Sequence, residues 1–129
     1  MKWFLTVDEL LYLLPGIQNN LPRIFSWFHP TRQLIFYKVE SSTDVAAALE
    51  SFMITCRFLE DNPAMETALL IFSKGFSDFD DYLYLIDLAE KQLKSQGFEG
   101  VYQVASFHPN YIFAGSNEND PANYTNRSP

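Results

Sequence analysis

Residues 68–72, Ala68-Leu-Leu-Ile-Phe72, are five apolar positions in succession with no polar residue between them. A strand with one wet face alternates polar and apolar residues, so this unbroken run predicts a strand covered on both faces, at the centre of a sheet. The flanking segments read as its cover.

Towards the C-terminus, Ser77 with Asp80 three positions on marks the start of a helix expected over 78–96. Gly97 would close it, since glycine tolerates the left-handed backbone that ends many helices. Tyr82, Ile86, Ala89 and Leu93 recur at helical spacing along one side. Asp78, Asp80, Asp81 and Asp87 gather near the start and Lys91 and Lys94 near the end, an order that complements the helix dipole. A strand follows at 101–107, with Tyr102, Val104 and Ser106 on one face and Val101, Gln103, Ala105 and Phe107 on the other.

Towards the N-terminus, Leu34-Ile-Phe-Tyr-Lys-Val39 is β-branched and aromatic, the composition of a strand. Between it and the central run, Ser41 and Ser42 offer N-caps to a helix over 43–60. Val45, Leu49, Phe52, Cys56 and Leu59 form its apolar stripe. Strand, helix, strand, helix, strand predicts an α/β fold, a small and mostly parallel sheet of three or four strands with crossover helices. Pro109-Asn110 is placed to turn the chain, so that Tyr111-Ile-Phe113 adds a short antiparallel edge strand.

The chain reads as a single domain, 1–129, in which 1–33 is poorly readable and 116–129 is a polar tail. Within the first part, Thr6 and Glu9 have the form of a capping box, which predicts a short helix over 7–14 ahead of Pro15-Gly16. Residues 17–30 show no period, and His29 lies among them.

A chain of 129 residues that is 47% hydrophobic and 16% aromatic buries a core without disulfides or a structural metal. Sixteen acidic residues against nine basic ones give a net charge of -7, which repels nucleic acid and anionic lipid. Cys56 is the only cysteine, so neither an intrachain disulfide nor a thiolate metal cluster can form, and a reducing cytoplasm is the expected compartment. Asp8 and Glu9 interrupt the apolar N-terminal run and no small-residue cleavage site follows, which argues against a secretory signal. No apolar stretch approaches the ~20 residues of a membrane span.

Ligands of parallel sheets favour the crevice beyond the carboxyl ends of the strands. Those ends bring Glu40 and Ser41, then Ser73, Lys74 and Gly75, then Ser106 and His108 towards one edge, from which the polar tail departs. His108 is the candidate acid, base or ligand; Ser106, Tyr111, Asp120, Asn123, Asn126 and Arg127 are the candidate ligand-binding residues. Each also has a structural role open to it. His108 before Pro109 can turn the strand with its ring on a backbone carbonyl, and Arg127 can dock the tail as readily as hold an anion. The acidic group at 78–81 is accounted for by the helix dipole, so no metal site is expected, and Cys56 on an apolar stripe reads as an inert thiol. No cofactor motif is present. Two functions stay open: a small-molecule or anion site at the sheet edge, enzymatic or not, and a non-catalytic interaction or self-associating module.

The blocks Ala105-Ser-Phe-His-Pro-Asn-Tyr-Ile-Phe-Ala114 and Asp120-Pro-Ala-Asn-Tyr-Thr-Asn-Arg-Ser-Pro129, with Glu66-Thr-Ala-Leu-Leu-Ile71 and Phe79, Asp81 and Tyr82, resemble the mostly bacterial domain-of-unknown-function family fourteen-fifteen. The resemblance covers about the second half of the chain and implies no established reaction. It also implies an N-L-C-P-F-A type block before the first strand, where this chain has Asn20-Leu-Pro-Arg-Ile-Phe25 without cysteine. Members continue past N-R-S-P into a helix with a further histidine, so this chain is expected to be a divergent or truncated member.

Overall fold

The structure, a computed structural model, describes residues 2–8, 35–65 and 67–127. Four strands, β1 (Lys2–Asp8), β2 (Ile35–Glu40), β3 (Thr67–Phe72) and β4 (Tyr102–Ser106), form one parallel sheet in the order β2-β3-β1-β4. Helix α1 (Val45–Asp61) connects β2 to β3, and helix α2 (Phe79–Ser95) connects β3 to β4. The α/β fold with crossover helices and a mostly parallel sheet is therefore present.

β3 is buried at every position. Ala68, Leu70 and Phe72 face a single cluster built from both helices, which includes Phe52, Cys56 and Leu59 of α1 and Tyr82, Leu85, Ala89 and Leu93 of α2. Each large side chain sealed in this way contributes about 1.5–3 kcal/mol relative to leaving it exposed. Leu69 and Ile71, pointing to the opposite face, are 2% and 0% exposed.

Residues 2–8 correct the expected N-terminal helix. Thr6, Val7 and Asp8 belong to β1, which pairs with β3 from Trp3↔Thr67 to Asp8↔Phe72 and with β4 from Lys2↔Tyr102 to Thr6↔Ser106. Trp3, Phe4, Thr6 and Val7 are good strand formers, and two neighbouring strands offer the ladder that a local capping pattern cannot outweigh. The rest of that expected helix, together with His29 and Asn20-Leu-Pro-Arg-Ile-Phe25, lies outside the described residues.

Both helix caps lie one to three residues beyond the expected serines. Asp44 caps α1 by accepting from the Ala47 amide at 3.0 Å, while Ser42 Oγ accepts from the Asp44 amide at 3.1 Å. Asp78 caps α2 by accepting from the Asp80 and Asp81 amides at 2.9 and 3.0 Å. A carboxylate does this better than a hydroxyl because its charge also meets the positive end of the helix dipole. Gly97 takes φ 79°, its amide donating to Lys94 O and that of Phe98 to Leu93 O, the paired bonds of a Schellman ending.

The expected edge strand at 111–113 is absent. The Tyr111 amide closes a turn onto His108 O, and the Phe113 amide donates to Asn123 Oδ1 at 2.9 Å, so the donors of a ladder are spent elsewhere. Residues 107–127 instead fold back on themselves around a short 3-10 helix, Pro121–Thr125.

Candidate functional site

The carboxyl edge of the sheet is set by register. Glu40 ends β2 opposite Phe72, and Asp8 ends β1 opposite the same residue. Among the described residues the loops 41–44 before α1 and 73–78 before α2 leave this edge, and they touch. The Ser73 amide donates to Glu40 O at 3.0 Å. A Cβ added to Gly75 would lie 3.0 Å from Thr43 Cα and 3.1 Å from Ser42 O, so only glycine allows this approach.

Glu40 is partly buried at the base of the first loop. Oε1 accepts from the Ser42 amide at 2.8 Å, and Oε2 accepts from the hydroxyl of Ser51 on α1. The Ser51 hydroxyl is the main cause that lowers the Glu40 carboxyl below its ordinary value, against the opposing effect of desolvation.

Phe76, in the second loop, has φ 65°, a left-handed conformation that is unusual for a bulky residue and costs about 1–2 kcal/mol. Its side chain is buried against Phe72, and its carbonyl points at the ring of His108. His108 is fully buried between Phe79 and Tyr82, with ring centroids 5.2 and 5.1 Å away. Nδ1 accepts from the Asn110 amide at 3.0 Å, so the ring proton sits on Nε2 and is donated to Phe76 O at 3.0 Å. Both nitrogens are engaged with backbone, the arrangement of a structural histidine.

The other sequence-chosen residues bond mainly to the backbone of 106–122. Asn123 is fully buried: Oδ1 accepts from the Phe113 amide and from Ser116 Oγ, at 2.9 and 2.8 Å, while Nδ2 donates to Asn117 O at 2.7 Å and Glu118 O at 3.4 Å. Asn126 donates from Nδ2 to Ser106 O at 3.0 Å, and its own carbonyl accepts from the His108 amide at 3.1 Å. Asp120 caps the 3-10 helix through the Ala122 amide. Ser106 Oγ donates to the Tyr111 hydroxyl at 3.3 Å. Arg127 donates from Nε to Tyr111 O at 3.1 Å and from Nη2 to Glu118 O at 2.7 Å, with its guanidinium 4.7 Å from the Tyr124 ring centroid. These residues make a clasp, closed at both ends.

A family model described as "Protein of unknown function (DUF1415)" matches residues 25–129. The chain belongs to the DUF1415 family. No curated protein and no solved structure matches it. The two DUF1415 blocks quoted from the sequence, around His108 and from Asp120 onward, are the two halves of the clasp, so their side chains account for one another structurally. The stretch compared with a cysteine block reaches the match only at Phe25.

Sequence reading passed over two members of this arrangement. Tyr82, assigned to the apolar stripe, also uses its hydroxyl, which accepts from the Phe107 amide at 3.0 Å. Phe76 carried no signal, since nothing about a phenylalanine announces a left-handed backbone. Cys56 is sealed in the core, and burial pushes its thiol up to about 12. Among the described residues no group of three or more His, Cys, Asp or Glu is arranged to hold a metal, and no helix is long and apolar enough to cross a membrane.

Two surface grooves lie among the described residues, about 410 Å³ between α2 and β4 and about 430 Å³ between α1 and α2. None of the sequence-chosen residues lines either one.

Proposed function

We propose that this DUF1415 chain binds a small polar molecule at the carboxyl edge of its sheet, in the angle between loops 41–44 and 73–78. The observation that carries the reading is Phe76. A bulky residue held left-handed, in the loop that leaves the central strand, is strain of the kind that concentrates at ligand sites. The clasp supplies the wall that holds this loop, and the exposed Ser41, Thr43, Lys74 and Ser77 supply the groups a ligand would meet.

Charge narrows the ligand class. Among the described residues Glu40, Asp44, Asp78, Asp80 and Asp81 stand at this edge against Lys74, and the caps already take the Ala47 amide of α1 and the Asp80 and Asp81 amides of α2. An anion would meet net repulsion, so a neutral or cationic molecule suits the edge better than the anion expected from Arg127 and the asparagines.

The test is a thermal-shift screen of neutral, cationic and anionic metabolites, followed by amide chemical-shift mapping of any hit. Perturbations centred on 41–44 and 73–78, with binding weakened in Thr43→Ala and Ser77→Ala, are expected. Hits that are anionic, or that map elsewhere and bind both variants like the parent, would overturn the proposal.

A second reading rests on the exposed aromatics of the clasp, Tyr124 at 64% with Arg127 over its ring and Phe113 at 36%. Aromatic residues and arginine are the usual anchors of protein interfaces. Sedimentation that finds only monomer at high concentration would remove self-association from this reading.

A further inference from the structure

We infer that the C-terminal clasp is the latch of the 73–78 loop: Phe76 keeps its left-handed backbone only while His108 is seated, so the two segments open and close as one unit. The inference stands whether or not a ligand occupies the sheet edge.

The argument follows the hydrogen bonds outward from the strained residue. Phe76 is held at φ 65°, and in that conformation its carbonyl is met by His108 Nε2 at 3.0 Å. A relaxed backbone would turn that carbonyl away and leave a buried ring N–H without this acceptor, at a site sealed by Phe79 and Tyr82. His108 is held from behind, its amide donating to Asn126 O and its Nδ1 accepting from the Asn110 amide. Asn126 is fixed in turn by Nδ2 on Ser106 O and by its place at the end of the 3-10 helix, whose buried Asn123 fastens 113–118. The path therefore runs without interruption from Asn123 to Phe76, two residues far apart in sequence. Strain at one end and a closed set of buried hydrogen bonds at the other give a two-state element, since a half-released clasp leaves buried donors unpaired.

Two substitutions at one position separate the latch from ordinary stabilisation. The amide nitrogen of His108→Gln reaches the place of Nε2 and can still donate to Phe76 O, while the oxygen of His108→Asn replaces Nδ1 alone and serves only the Asn110 amide. Hydrogen exchange of the full chain is the readout, with amides in α1 as the reference for global unfolding. In His108→Asn, amides of 73–81 are expected to exchange about tenfold faster or more, beyond any change in α1, and His108→Gln to restore most of their protection. Asn126→Ala, at the far side of the clasp, is expected to raise exchange in 73–81 as well.

Should either histidine variant prove too unstable to assay, native-state exchange of the unsubstituted chain decides the matter. Ser73 is expected to share one opening free energy with His108, Tyr111 and Asn123. Exchange changes confined to 107–127, equal effects of Gln and Asn, or separate openings for loop and clasp would overturn the inference.

Discussion

The hydroxyl of Tyr82, on the buried face of α2, accepts the backbone N–H of Phe107 at 3.0 Å. A helix that packs on the sheet thereby also fixes where the chain leaves β4 and enters the clasp. Tyr82→Phe keeps the ring and removes the acceptor, leaving the Phe107 amide without this partner. A loss of about 1–3 kcal/mol in denaturant unfolding, with an unchanged slope, is expected.

Asn123 carries more hydrogen bonds than any neighbour in the clasp, and all its polar atoms are used. Asn123→Ala takes the partner from the Phe113 amide and from the Asn117 carbonyl, while Ser116 Oγ keeps Phe113 O and Glu118 O keeps Arg127. The expected cost is about 3 kcal/mol, and limited proteolysis should cut within 109–127 before any other described segment.

Glu40 contributes a pH-dependent share of stability. Its folded carboxyl is lowered, first by the Ser51 hydroxyl. The contribution is therefore present above the ordinary carboxylate value and is lost as pH falls through the lowered one. Ser51→Ala removes the largest cause, so the acid limb of a stability-versus-pH curve should move upward towards the ordinary range. An unmoved limb would show that the hydroxyl does not hold the carboxylate.

Gly75 is required by contact. In Gly75→Ala the new methyl would press on the Thr43 backbone and the Ser42 carbonyl, and separating the two loops should cost about 1–3 kcal/mol. Calorimetry reads the cost, and ligands found by the screen should bind this variant more weakly than their effect on stability alone explains.

Cys56 is fully buried with its thiol pushed up to about 12. At about pH 8 a thiol reagent should modify it no faster than the chain unfolds, because the thiolate is neither populated nor reachable. Faster modification would place a channel to the core that the packing does not provide.

The sheet and its helices were legible because their signals are local. Leu69 to Phe72 has no polar alternation, Tyr82 to Leu93 keeps helical spacing, and Gly97 closes a helix through its own backbone freedom. β1 was not legible: Thr6 and Glu9 imitate a helix start within four residues, whereas the pairing that makes a strand of 2–8 comes from β3 and β4, far along the chain. The clasp residues were legible as a group and not as a role. Asn123 and Arg127 stand in a polar stretch, and only the return of 121–127 towards Tyr111 and Ser106 turns their amides and guanidinium inward. His108 finds its partner at Phe76, 32 residues away, a separation that no local pattern reports.

The Asn126 amide on the Ser106 carbonyl has one more effect, on the company this molecule keeps. Among the described strands β4 is an outer one, and an outer strand offers its row of backbone groups to any passing strand, including one from another copy. At its end the strand is held within the chain, Ser106 O accepting from Asn126 Nδ2 and the Phe107 amide donating to the Tyr82 hydroxyl on the other side of the same peptide. A stretch that reads as a recognition sequence thus also holds the last peptide of an edge strand inside its own chain.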